Sequence, residues 1–281
     1  MNSKLPGSVP NFTDDGLSIT AAEPWFKVKV QLIQSYLQAF IMNASPKADS
    51  IIFIDLFSGS GLYSMGHQKQ VFAGSCLAAM SSSLPFRKWI LCEKDAEQAL
   101  ALDTRIKRFF PHNDVVVLHT AQTLSIEEIT SHVPKSKAGH HVAVICIVDP
   151  FSMEVPISLM HKLSASNYTL LIPFTFLLNE RMNARYYVKE QRETLKRFVG
   201  ESSFEQLSSI DSNLHFYRKL IRLYQNSMLV MGLNTAVSSH RLQSKLMELP
   251  SYCIGFFSRE FSTQAIQRNI DVSEHFQYEL F

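Results

Sequence analysis

The stretch Ile51-Ile52-Phe53-Ile54-Asp55-Leu56-Phe57-Ser58-Gly59-Ser60-Gly61 constrains this chain more than any other. Four consecutive apolar residues without polar alternation predict a parallel strand covered on both faces. That strand delivers one carboxylate, Asp55, to its C-terminal end. Two glycines then allow left-handed backbone and a close approach of main chain to a ligand. The spacing D-x-F-x-G-x-G differs from the phosphate-clamping G-x-G-x-x-G, so the motif points to a nucleotide-type pocket, with a plain tight strand-to-helix turn as the alternative.

The pattern then repeats. Trp89-Ile90-Leu91-Cys92 predicts a second strand ending in Glu93-Lys94-Asp95, and Val115 to Leu118 a third after the break at Pro111. Val142 to Val148 gives a fourth, ending at Asp149-Pro150-Phe151, and Tyr168 to Ile172 a fifth. Helical spacing falls between them: Ala99, Leu102, Ile106 and Phe109 in one interval, Leu159 and Leu163 in another. Parallel strands need crossovers, so this alternation predicts an α/β fold, a mostly parallel sheet with helices on both faces. Two more strands are expected at Thr235 to Ser239 and Tyr252 to Phe257, followed by a helix with Phe261, Ile266 and Ile270.

Residues 1–19, rich in Pro, Ser, Asn and Asp, read as a loose arm or surface strap with little core. Thr20 and Glu23 resemble a capping box for a helix of about 20 residues carrying Phe26, Val30, Ile33, Leu37 and Ile41. Leu62 to Gly74 reads as an inserted loop before a short helix at Ser75 to Ser82. Asp211 is the expected N-cap of a long helix ending at Gly232. A single domain over 20–281 with a helical insertion around 179–232 follows. Within it, Arg181, Arg185, Lys189, Arg192, Lys196 and Arg197 alternate with acids, either a solvated helical face or a substrate-facing cap.

Several function classes are excluded. No histidine or cysteine spacing matches a metal site, no Walker lysine follows the glycine turn, and G-x-S-x-G does not occur. The longest nearly apolar run, Leu170 to Leu178, falls far short of the roughly 20 residues that span a bilayer. With no basic region leading into an apolar stretch at the N-terminus, a cytoplasmic protein without membrane contact is expected. Cys76, Cys92, Cys146 and Cys253 lie far apart, three within apolar runs, and predict buried reduced thiols. Twenty-seven basic against 25 acidic residues leave a net charge of +2, which argues neither for nor against a nucleic-acid partner.

Chemistry is expected where strand ends carry acids. Ligands of open parallel sheets bind beyond the carboxyl ends of strands, so Asp55, Glu93 and Asp149 are expected to converge. Glu93 suits ribose hydroxyls; its competing role is a surface acid capping the next helix. Asp149-Pro150-Phe151 suits an amine or hydroxyl acceptor: Pro150 fixes the turn, Asp149 accepts the proton-bearing group, and Phe151 stacks on a base. The alternative is an ordinary turn whose Phe covers the sheet end.

Together these residues resemble the three-Cys-motif partner proteins, bacterial relatives of S-adenosylmethionine (SAM) dependent methyltransferases. The resemblance runs from Trp25 to about Arg268. It rests on Trp25, Lys27 and Tyr36, the 53–61 motif, Gly74-Ser75, Glu93-Lys94-Asp95, Val148-Asp149-Pro150-Phe151 and Tyr252 to Ser258. It implies a Rossmann-like class I methyltransferase fold, SAM as cofactor, and a partner protein bearing a three-cysteine motif. The implied cofactor residues are Asp55, Phe57, Ser58, Gly59, Gly61, Glu93, Lys94 and Gln122. Asp55, Gly59 and Gly61 would surround the methionine part and Glu93 would meet the ribose. Gln122 stands where the family has an Asp for the adenine amine. A cytosine-C5 reaction, whose first motif is similar, is excluded because no Pro-Cys dipeptide supplies a thiolate. The expected activity is SAM-dependent methyl transfer to nucleic acid through Asp149, Pro150 and Phe151, without a metal. The alternative is a silent SAM-binding-like module that acts with a partner.

Overall fold

The computed structural model describes residues 9–66, 69–119, 125–268 and 270. Its described residues fall into two compact units, one up to residue 147 together with those from 264 on, the other residues 148–263.

The first unit begins with two short strands, β1 (Asn11–Phe12) and β2 (Thr20–Ala22), and the helix α1 (Trp25–Ala44). Then come β3 (Ser50–Asp55), β4 (Leu62–Met65), β5 (Gln70–Ala73), α2 (Ser75–Ser81), β6 (Lys88–Glu93) and α3 (Ala96–Phe109). β7 (Val115–His119), α4 (Ile126–Ser131) and β8 (Val142–Ile147) complete it, with residues 264–268 returning as helix. The second unit holds α5 (Ile157–Ala165), β9 (Thr169–Phe174), α6 (Ala184–Lys189), α7 (Arg192–Val199) and α8 (Glu201–Glu205). It ends with α9 (Asn213–Val230), β10 (Asn234–Arg241) and β11 (Ser251–Ser258).

Seven strands form one sheet in the order β10-β11-β9-β8-β3-β6-β7. β7, β6, β3 and β8 run parallel to one another, whereas β11 is antiparallel to both β9 and β10. This mostly parallel order, with one reversed strand near an edge, is a Rossmann-like class I methyltransferase fold. The chain walks outward from β3 through β6 to β7, then resumes at β8 on the other side of β3, so strand order reverses at the β3–β8 boundary. That boundary is the switch point at which sheets of this kind hold ligands.

All six β8 residues are buried, as are Ile51 to Asp55 of β3, because a parallel strand is covered on both faces. In α1 the expected Phe26, Val30, Ile33, Leu37 and Ile41 are all buried. The capping box is not formed: Thr20 lies in β2, Pro24 precedes the helix, and the Glu23 carboxylate accepts from the Trp25 indole at 2.8 Å. Leu62 to Gly74 is not a plain loop either. β4 and β5 pair antiparallel and join β1 and β2 in a second, four-stranded sheet ordered β1-β5-β4-β2.

The strap is therefore built in over its described part, not loose. Asn11 and Phe12 pair with Phe72 and Val71, Thr20 to Ala22 pair with Tyr63 to Met65, and Val9 is buried. Local strand propensity there is weak, and pairing with β4 and β5 overrides it.

In the second unit, α9 is capped by Ser212, whose hydroxyl accepts from His215 N–H, and Asp211 instead pairs with Arg185. Pro173 in β9 has no N–H for the β11 ladder. One residue on, the Tyr217 hydroxyl donates to Phe174 O at 2.9 Å and accepts from Cys253 N–H at 2.7 Å. The basic segment forms α6 and α7, which bury Ala184, Tyr187, Leu195, Phe198 and Val199 and expose Arg185, Lys189, Arg192 and Arg197; Arg181, ahead of α6, is exposed too. Its cations meet local acids, Arg185 with Asp211 at 2.8 Å and Lys196 with Glu201 at 2.6 Å. This is the arrangement of a solvated helical face.

Candidate functional site

In the first unit, β3 ends at Asp55 and the chain turns immediately. Asp55 is 3% exposed, and its Oδ1 accepts from Phe57 N–H at 3.1 Å, so the carboxylate fixes the turn that follows it. The Ser58 hydroxyl donates to the Asp55 carbonyl at 3.2 Å. Two bonds then fasten the turn to the end of β6: Ser58 N–H to Cys92 O at 3.0 Å, and Gly59 N–H to Glu93 Oε2 at 2.9 Å.

Glu93 has a second donor, Asp95 N–H at 2.8 Å to its other oxygen. A buried carboxylate accepting two backbone N–H groups keeps a defined orientation and spare lone pairs. It is not the helix cap; Asp95 is, accepting from Gln98 N–H at 2.9 Å. Asp55 and Glu93 thus both hold the glycine turn, Asp55 through Phe57 N–H and Glu93 through Gly59 N–H.

The two glycines are required for different reasons. Gly59 (φ +57°) and Gly61 (φ +79°) both lie in left-handed backbone. A Cβ on Gly61 would fall 2.8 Å from side-chain carbons of both Leu102 and Leu77. Gly61 is therefore the point where the turn packs on α2 and α3. Among the described residues, a Cβ on Gly59 would meet only Gln98 Oε1, at 3.5 Å, an ordinary contact. Gly59 thus leaves the backbone uncrowded beside a fixed carboxylate, a cradle that a side chain would occupy.

Three thiols report on the same place. Cys76, Cys92 and Cys146 are buried and unpaired. Burial pushes their pKa values up, with the Asp55 carboxylate adding to the rise. They are packing residues, and the fourth, Cys253, is half-buried and also free. No group of three His, Cys, Asp or Glu among the described residues could hold a metal ion.

Lys94 is exposed, and its carbonyl contacts His119 Nε2 at 3.1 Å. Gln122 lies outside the described residues. Asp149, Pro150 and Phe151 open the second unit. Asp149 Oδ1 accepts from the Thr175 hydroxyl at 3.1 Å, which ties the turn to the residue following β9. Phe151, half-buried, has φ +53°. A bulky residue in left-handed backbone costs about 1–2 kcal/mol, and such strain concentrates at functional turns. A small apolar pocket borders this turn, lined by residues including Val148, Pro150, Phe174, Phe198 and Tyr224.

Sequence reasoning missed the residues that hold the glycine turn from behind. Gln98, Leu102 and Arg105 share one face of α3, and Arg105 is fully buried. A cation falling on an otherwise apolar helical stripe beside Leu102 and Ile106 was the available signal.

Among the described residues no helix is long and apolar enough to cross a membrane. No protein-family model matches this sequence, and no curated protein matches it. Solved structures do resemble it in shape. A Legionella pneumophila protein has a TM-score of 0.49 at 12% identity, over 86% of this chain and 90% of its own. The N-terminal domain of human METTL16, solved with SAH, scores 0.43 at 10% identity over 88% and 77%. The small RNA methyltransferase HEN1 scores 0.45 at 10% identity over 82% and 26%. At such identities and scores the fold assignment rests on the strand order itself.

Proposed function

We propose that this protein is a SAM-dependent methyltransferase acting on nucleic acid, at a base amine or a hydroxyl. One observation carries the reading. A buried glutamate at the end of β6, fixed by two backbone N–H groups, stands beside an open left-handed glycine at the switch point of the sheet. These residues suit an adenosyl group: Glu93 has lone pairs for ribose hydroxyls, and Gly59 lets the ligand approach the main chain. Phe57, Ser58 and Gly61 shape the turn, and Asp55 holds it while supplying negative charge near the methionine part of the cofactor. Lys94 and Gln122 complete the proposed set.

When bound, the cofactor supplies an electrophilic methyl group. What the chain supplies is position. Asp149 would accept a hydrogen bond from the acceptor amine or hydroxyl, Pro150 would keep the turn rigid, and Phe151 would stack on the base. The strained backbone of Phe151 and the apolar pocket beside it support that assignment. The resemblance to three-Cys-motif partner proteins supports the same cofactor and adds a partner protein encoded nearby.

Calorimetry and thermal shift with SAM and SAH test the first half. Absence of heat and of any shift at millimolar ligand removes the reading. Labelled methyl transfer to total RNA and DNA tests the second half, with Asp149→Ala expected to abolish transfer while SAH binding persists. SAH binding without transfer, together with an Asp149→Ala chain that keeps its partner, establishes the silent module.

A further inference from the structure

The fully buried guanidinium of Arg105 makes four hydrogen bonds, three to the strap and one to the glycine turn. Its Nε and Nη2 clasp the two oxygens of Asp15 at 2.8 and 2.6 Å, and Nη1 donates to Ser18 O at 2.9 Å. The same Nη1 donates to the carbonyl of Ser60, between the two turn glycines, at 2.7 Å. The strap runs antiparallel to α3 along this line. Phe12 sits edge-on against Phe109 at 5.3 Å, Asp15 and Ser18 meet Arg105, and Thr20 reaches Gln98 at 3.4 Å. Gln98, in turn, is the group nearest to the open face of Gly59.

From this geometry we infer that Asp15 and Arg105 are positioning residues for the adenosyl site, and that the strap is the clamp that keeps the glycine turn in its binding shape. The inference rests on the proposed function. Its physical basis is that arginine stays charged, and a buried cation is tolerated only when paired and fully hydrogen-bonded. Asp15 supplies the charge and takes two of the five N–H groups, Ser18 O takes a third, and a fourth is aimed at Ser60 O. Without the strap, Arg105 must draw in water, and the Ser60 carbonyl loses its anchor. Asp15 is itself preset: its Oδ1 also accepts from Leu17 N–H at 3.2 Å, and the Arg105 hydrogen bond holds its pKa below the usual carboxylate value.

Two readouts test this in the full-length chain: hydrogen exchange of the Phe57, Ser58 and Gly59 amides without ligand, and SAH calorimetry. Asp15→Asn is expected to lower protection of those amides and to weaken SAH binding by about tenfold or more. The double variant Asp15→Asn/Arg105→Met removes both charges, so it can fold without an unpaired buried cation, and is expected to show the same losses. Lys107→Ala breaks an exposed pair with Asp103 on the same helix and is expected to change neither readout. A folded double variant with wild-type protection and wild-type affinity overturns the clamp. Should wild-type protein give no SAH heat, the adenosyl reading fails, and exchange alone decides the clamp: unchanged protection overturns it, and lost protection leaves it standing without that ligand.

Discussion

The turn after β3 and the turn after β8 both carry acids at strand ends, and they are held in opposite ways. The first is fixed from its backbone outward. Phe57, Ser58 and Gly59 each donate their N–H to a named acceptor, two glycines take the left-handed conformations, and Arg105 holds the Ser60 carbonyl. The second puts a phenylalanine where glycine would be relaxed and ties its acid to the Thr175 hydroxyl. A turn whose glycines absorb the unusual φ is unstrained and presents its main chain. A turn that keeps a large side chain despite the cost presents that side chain.

Breaking the first turn is expected to give the largest effects. Gly61→Ala combines left-handed strain with a Cβ driven against Leu77 and Leu102, and is expected to destabilise the chain by about 2–4 kcal/mol, read by urea unfolding. Next in size is Glu93→Gln. Its amide group cannot accept from both Gly59 and Asp95, so one buried N–H loses its partner at about 1–3 kcal/mol. SAH affinity is expected to fall with it, by calorimetry.

A smaller effect asks whether this anchorage reaches the strap. The carboxyl of Asp15 binds a proton less readily folded than unfolded. The stability from its pair with Arg105 is therefore complete above the ordinary value near 3.8 and is lost as pH falls through the lower folded value. Wild-type unfolding free energy should drop in that acidic window, whereas Asp15→Asn should show a shallower dependence there. The second turn should respond least. Phe151→Gly relieves left-handed strain worth about 1–2 kcal/mol and gives up a half-buried ring, so Tm is expected to stay near the wild-type value while methyl transfer is lost.

Much of the first turn was legible beforehand. The β3 run, Asp55, both glycines and the Glu93 strand end follow from local pattern, because a strand covered on both faces writes its burial into consecutive residues. The strap was not legible. Asn11, Phe12 and Thr20 to Ala22 carry no strand signal of their own, and they become strands by pairing with residues about 40 to 60 positions away in β4 and β5. The hairpin itself was hidden for the same reason: its pairing with the strap, not its composition, makes it a sheet. Asp211 misled because it satisfies the helix-cap pattern one residue early, and Arg185 competes for its carboxylate.

What the sequence determined on its own is the alternation of strand and helix and the acids and glycines at two strand ends, since burial periodicity and turn chemistry act over a few residues. The tertiary structure alone decided which distant groups fasten those turns: Glu93 to Gly59, Arg105 to Ser60 and Asp15, Thr175 to Asp149. Each of these bonds joins residues between 26 and 90 positions apart. Hydrogen-bond partners at such separations are set by packing, which no local pattern encodes.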